Sequence, residues 1–165
     1  PNQFENPANV KAHYETTAVE ILNDMGSVDA FVAGVGTGGT ISGVGKRLKE
    51  VNENTLVVAV EPKKSPLLSE GKASSHGIQG IGANFIPGIL NRDILDRIIT
   101  VEDENAMETS RLLGAREGIF CGISSGANVY AALKIAKEVG PGKKVLTVLP
   151  DTGERYLSTA LFREE

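Results

Sequence analysis

The sequence is poor in the residues that staple a fold together: 165 residues contain one cysteine, Cys121, and two histidines, His13 and His76. A single thiol cannot close an internal disulfide and suits a reducing compartment, so a cytoplasmic protein is expected. One thiol and two imidazoles also leave no plausible structural zinc set, and no metal is expected. Clusters of positive charge are missing as well. Lys and Arg number 17 against 21 Asp and Glu, for a net charge of -4. The pI is near 5.3 and the lysines are scattered singly among acids, so neither nucleic acid nor an anionic membrane is an expected partner. No apolar run approaches the roughly 18 residues of a membrane span, and no charged-then-greasy leader opens the chain. There is no initiator methionine, no internal repeat and no linker, so the sequence reads as one unit, 1–165, that is part of a longer protein.

What is present is an ordinary globular composition, 41% hydrophobic and 23% charged, with enough apolar mass for a core. Asn6 and Pro7 open a periodic stretch that predicts one helix to Met25, with Val10, Tyr14, Thr17, Ile21 and Leu22 on one face and Gly26 as its stop. Continuous apolar runs at Val28–Ala33 and Thr55–Val60, then 97–101 and 144–149, predict strands buried on both faces. Helices are expected from Thr40 to about Asn52, from Asp103 as cap to about Gly118, with Met107, Leu112 and Leu113 inward, and from Ser124 or Ser125 to about Gly140. The stretch from Gly71 to Asn91 is Gly-rich and weakly periodic, which predicts a long functional loop. Strand and helix alternate, so the expected architecture is a doubly wound α/β fold: an open, mostly parallel sheet with helices on both faces.

Between the first strand and its helix lies Gly34-Val35-Gly36-Thr37-Gly38-Gly39-Thr40. Glycines fold the backbone tightly, freed amides converge on an anion, and the next helix presents its positive end, so this loop is built to hold phosphate. The same letters spell G-x-G-x-x-G (Gly34, Gly36, Gly39), and Glu61 follows 22 residues after Gly39 at the end of the next strand. That is also the dinucleotide fingerprint, so an NAD(P)-binding Rossmann domain competes for the loop. A second opening, Gly122-Ile123-Ser124-Ser125-Gly126-Ala127, again puts small residues and hydroxyls at a helix start, and Pro150-Asp151-Thr152-Gly153 follows the last strand. All three belong at the carboxyl edge of the sheet, where they could hold a compact ring bearing one phosphate.

These loops occur together with Gln3-Phe4, Asn6-Pro7-Ala8-Asn9, His13, Thr16-Thr17, Ile78-Gln79-Gly80-Ile81-Gly82-Ala83 and Gly153-Glu154-Arg155-Tyr156-Leu157-Ser158-Thr159. In that order they resemble the cysteine synthases (O-acetylserine sulfhydrylases), fold type II enzymes dependent on pyridoxal phosphate (PLP), with cystathionine β-synthase as a relative. The resemblance covers essentially the whole chain. It implies an incomplete large domain of the tryptophan synthase β-like fold, corresponding to the C-terminal half of the enzyme. By the same resemblance Gly36, Thr37, Gly38, Gly39 and Thr40 bind the cofactor phosphate and Ser124 bonds the pyridine nitrogen. A hydroxyl at that nitrogen leaves it largely unprotonated, which suits β-elimination followed by β-replacement.

Gln3 and Gly80 fall on the substrate side, the substrates being O-acetylserine and sulfide and the products cysteine and acetate. Gly77, Asn84 and Ala18-Val19 depart from the usual pattern, where lysine, glycine and Gly-Pro are common, and Gly77 and Asn84 leave sulfur donor and acceptor preference open. The Schiff-base lysine and the loop that grips the substrate carboxylate would precede Pro1, so no catalytic residue is assigned here and the chain alone is expected to be inactive. A homodimer is implied, as is a cleft that accepts the C-terminal tail of serine acetyltransferase, which leaves a non-catalytic, partner-binding scaffold as a further alternative.

Other residues have plainer expected roles: Cys121 a small buried hydrophobe, His13 and His76 structural, Tyr14, Tyr130 and Tyr156 packing residues, and Asp151 the opening of a turn. One of Ser124 and Ser125 is expected to be a simple helix cap. Lys46, Lys49, Lys134 and Lys137 fall on solvated helix faces.

Overall fold

The structure, a computed structural model, describes residues 1–163, so the last two residues of the expected 1–165 unit lie outside it. In chain order the elements are α1 (Ala8–Glu15), α2 (Thr17–Met25), β1 (Ala30–Gly34), α3 (Gly39–Val51), β2 (Leu56–Pro62) and α4 (Leu67–Glu70). They continue with β3 (Arg97–Val101), α5 (Asp103–Leu112), α6 (Ile123–Val139) and β4 (Val145–Thr147). The strands form one sheet in the order β3-β2-β1-β4, and every pairing is parallel. The open parallel α/β sheet expected from the alternating pattern is therefore present. No helix among the described residues is long and apolar enough to cross a membrane.

The continuous apolar strands divide their side chains between two cores, as a sheet covered on both faces must. Ala30, Val32, Val58 and Val60 pack with Ala127, Ala131 and Ile135 of α6. The alternate residues Phe31, Ala33, Val57 and Ala59 pack with Ala18 of α2 and Ile41, Val44 and Leu48 of α3. Helix α1 lies outside α3 rather than on the sheet, and none of its residues is fully buried.

Several local expectations are corrected. The helix expected through Met25 is two helices, broken at Thr16 (φ -116, ψ -75), whose hydroxyl donates to Ala12 O at 2.7 Å. This back-bonding Thr, followed by a second β-branched residue, offers the backbone an alternative to the next helical turn. Asp103 is not a cap. It stands inside α5 with its carboxylate taken by Lys64 Nζ at 2.7 Å, while Glu102 holds the cap position.

Leu112 is 39% exposed rather than inward, and the buried stripe of α5 is Asp103, Ala106 and Ser110. Small residues occupy that stripe because α5 approaches α6 closely: a Cβ on Gly126 would lie 2.0 Å from Ala106 O. Hydrophobicity alone points to the wrong side of such a helix. After Leu112 the helix widens into a π turn, Leu113–Glu117. Neither Ser124 nor Ser125 caps α6, since Gly122 occupies that place. Finally, β4 is shorter than the expected 144–149, and α4 lies just before the long loop, where no helix was expected.

Candidate functional site

The fold brings the separate sequence signals to one place. Strand β1 is followed on one side by its neighbour β2 and flanked on the other by β4, so the chain reverses its direction of winding between β1 and β4. In such sheets, ligands collect at this switch point, outside the carboxyl ends of the strands. A cavity of about 260 Å³ lies there, walled by Gly34, Gly36, Thr37, Gly38 and Thr40 on one side and by Gly80, Ser124 and Asn128 on others. Gln3, Val148 and Pro150 complete its rim. Thus Gly36, Thr37, Gly38, Thr40, Ser124, Gln3 and Gly80 all converge as expected. Gly39 is the exception: it is buried beside the cavity, and its N–H donates to Thr37 Oγ1 at 3.2 Å. A larger open groove between α5 and residues 160–163 has none of these loops in its walls.

Two close approaches shape the cavity. A Cβ on Gly36 would lie 2.4 Å from Gly80 O, so the phosphate-type loop and the Gly80 loop are in backbone contact and only glycine fits between them. Gly38 has φ +84, which turns the chain from β1 into α3 and sets the positive end of that helix beside Thr37 and Thr40. Ser124 stands in the first turn of α6 on the opposite wall, and Ser125 instead makes a long 3.5 Å contact from its hydroxyl to Asp151 Oδ1.

A second layer supports these walls. Asn9 Nδ2 donates to Thr37 Oγ1 at 3.0 Å, and His13 Nε2 lies 3.2 Å from Thr40 Oγ1. Burial lowers the pKa of His13 below the usual imidazole value, favouring the neutral ring. Asn128, one turn after Ser124, is 2% exposed and donates from Nδ2 to Val148 O at 2.9 Å, with its Oδ1 left unpartnered. Asn9 and Asn128 were missed as site residues from sequence. The available signal for Asn128 was its i, i+4 spacing from Ser124, which puts both on one face of α6.

Glu61, the acid of the dinucleotide alternative, is 2% exposed and already occupied. It accepts from Leu68 N at 2.7 Å, from Ser69 N at 3.1 Å and from the Ser69 hydroxyl, and so closes the start of α4. Glu61→Ala should therefore cost about 3 kcal/mol in a urea melt, because buried donors are left without an acceptor. A cost below about 0.5 kcal/mol, together with an NAD-induced thermal shift that the substitution abolishes, would return the loop to the dinucleotide reading.

Asp151 anchors the last loop. Its Oδ2 accepts from the Tyr156 hydroxyl, and its backbone O accepts from Gly122 N at 3.3 Å. Burial first, and then the bond to Asp151, push the Tyr156 phenol up to about 12. The native state then holds a proton that the unfolded chain releases near its ordinary value of about 10. The associated stability is complete below that pH and is lost as pH rises toward 12. In a spectrophotometric titration one of the three tyrosines should ionise last, and Tyr156→Phe should remove that late step alone. If the late step survives the substitution, the assignment is wrong.

Residues 1–151 match the family model described as pyridoxal-phosphate dependent enzyme. The chain belongs to that family. It is 57% identical over 164 residues to a cysteine synthase of Staphylococcus aureus, covering 98% of the chain and 53% of that protein. It is 59% identical over 162 residues to cysteine synthase B of Campylobacter jejuni, covering 98% and 54%. The structure superposes on that of an O-ureido-L-serine synthase with a TM-score of 0.94 at 50% identity, covering 98% of the chain and 52% of that one. It superposes on an O-acetyl serine sulfhydrylase of Entamoeba histolytica with a TM-score of 0.93 at 46% identity, covering 98% and 48%.

The family is PLP-dependent, which removes the dinucleotide alternative for the Gly34 loop. The chain spans about half the length of the curated relatives it matches.

Proposed function

We propose that this chain is the PLP-binding C-terminal portion of a cysteine synthase that makes cysteine and acetate from O-acetylserine and sulfide. The observation that carries the proposal is the meeting of a phosphate-type loop and Ser124 across one cavity at the switch point of the sheet. The residues present fit the group. A phosphate accepts only, and Thr37, Thr40 and the N–H groups of the first turn of α3 that follow Gly39 are donors at the positive end of a helix. Ser124 on the facing wall supplies a hydroxyl to the ring nitrogen, and Gln3 and Gly80 border the substrate side.

When bound, the cofactor would supply an electron sink for β-elimination and β-replacement. The chain's own residues would grip the phosphate and orient the ring, and the close Gly36–Gly80 approach joins two walls of the cavity. In this reading the lysine that would bond the cofactor belongs to a part of the protein outside this chain. The homodimer and the serine acetyltransferase tail belong to the same reading of the whole protein. The chain is similar both to cysteine synthases and to an O-ureido-L-serine synthase, so the sulfide of this reading rests on the resemblance to the former.

The test is reconstitution. The chain mixed with the N-terminal half of a cysteine synthase relative and PLP should develop a visible absorbance band and form cysteine from O-acetylserine and sulfide. The chain alone should do neither. A reconstituted pair without a band would sink the proposal.

A further inference from the structure

Helix α1 lies against the loop and first turn of α3 with Asn9 and His13 one turn apart. Its approach depends on glycines one turn apart on α3: a Cβ on Gly39 would lie 2.0 Å from Asn9 Oδ1, and one on Gly43 would lie 2.4 Å from Val10 O. The spacing of these glycines thus serves the docking of α1. What α1 brings is a hydrogen-bonding partner for each threonine of the cavity.

For Thr37 the direction of the bonds is decided. Asn9 Nδ2 donates to Gln3 O at 2.9 Å, and because a carbonyl can only accept, the orientation of the amide follows. The same nitrogen donates to Thr37 Oγ1 at 3.0 Å, and Gly39 N donates to that oxygen at 3.2 Å. With two incoming bonds, the Thr37 oxygen has its lone pairs engaged, and its own proton is free for the cavity.

Thr40 has one such partner, His13 Nε2 at 3.2 Å, while His13 Nδ1 lies 3.0 Å from Thr17 Oγ1. Two arrangements satisfy this chain of three. Either Thr40 gives its proton to His13, or His13 gives its proton to Thr40. Only the second leaves Thr40 a donor, and a phosphate dianion rewards donors alone.

We propose that Asn9 and His13 are positioning residues that donate to Thr37 and Thr40, with Thr17 donating to Nδ1 so that His13 is held as its Nε2–H tautomer and both threonine protons face the phosphate. This rests on the reading of the cavity as a PLP site. Neither residue touches the cofactor; each acts through a threonine. The neutral ring that burial favours is the form this arrangement needs, since a neutral imidazole can donate at one nitrogen while accepting at the other.

Two substitutions at residues that do not themselves line the cavity test it. Asn9→Asp replaces the donating amide by an acceptor of the same shape, and Thr17→Val removes the hydroxyl that sets the tautomer. Dissociation constants for PLP and for inorganic phosphate would be measured on the chain by titration calorimetry, melting temperatures by circular dichroism, and the His13 tautomer by carbon NMR of the imidazole. Each substitution should weaken PLP and phosphate together by about tenfold, the worth of one charge-assisted hydrogen bond, at nearly unchanged melting temperature. The parent should show the Nε2–H tautomer, and Thr17→Val a mixture.

Unchanged affinities in both variants, or an Nδ1–H tautomer in the parent, would overturn the positioning role. A parent chain that binds neither ligand overturns the cofactor assignment instead, and the tautomer of the free chain still tests His13.

Discussion

Gly36→Ala should weaken PLP binding by one to two orders of magnitude while the chain stays folded. The added methyl would sit 2.4 Å from Gly80 O, far inside contact distance, and the atom it meets is backbone rather than the yielding end of a side chain. Relief requires that either the Gly36–Thr40 loop or the Gly80 loop withdraw, and both are walls of the same cavity. Overpacking of this kind costs about 1–3 kcal/mol, which in a binding constant is about tenfold to a hundredfold.

Gly114→Ala is the control. Its Cβ would find its nearest neighbour at 3.9 Å, in a π turn away from the cavity, so both stability and affinity should change little. Fluorescence titration with PLP reads the result. Equal affinities for parent and Gly36→Ala would remove the loop from the cofactor site.

Gly126→Ala should be the most damaging single methyl for the fold itself. Its Cβ would lie 2.0 Å from Ala106 O and 2.8 Å from Ser110 N, so α5 and α6 could no longer approach as they do. These helices share the core formed by Ala106, Ala127, Ala131 and Ile135 with the strands beneath. Separating them by even a fraction of a methyl diameter loosens that core along its length. A loss of about 3 kcal/mol, and hence a fall in melting temperature of about 6–12 °C for a chain of this size, is expected by calorimetry. Because α6 also carries Ser124 and Asn128, PLP affinity should fall with it. A variant melting within about a degree of the parent would show that the helices can part freely and that the close approach is not required.

Much of the fold was legible because local and global signals agree. The parallel strands are near-continuous apolar runs, and β3 spans the same residues, 97–101, that the sequence marks out. Gly26 ends α2 with φ +68, as a stop residue should. Disagreement arose wherever a tertiary contact overruled a local preference. Asp103 is drawn from capping by Lys64, and the inward face of α5 is chosen by the glycine opposite it rather than by its largest side chains. The Thr16 break is a local effect that periodicity cannot report, since the apolar pattern runs through it unchanged.

The sequence by itself determined the chemistry on offer: a glycine-threonine loop at a helix start, a second hydroxyl-bearing opening, and a composition suited to one α/β layer. Those are local facts, carried by residues within a few positions of one another. Taken alone, the loop fits a dinucleotide as well as a phosphorylated ring, because both uses need the same tight turn and the same helix end, and it was the second opening and the resemblance of the ordered motifs that favoured PLP. Only the tertiary structure decided what surrounds that turn. It turns Glu61 to the start of α4, places Ser124 and Gly80 across from Thr37 and Thr40, and lays Asn9 and His13 behind the threonines. The reason is physical: which way a hydroxyl proton points, and whether a carboxylate is free, depend on partners that lie far away along the chain and meet only when the sheet and its helices pack.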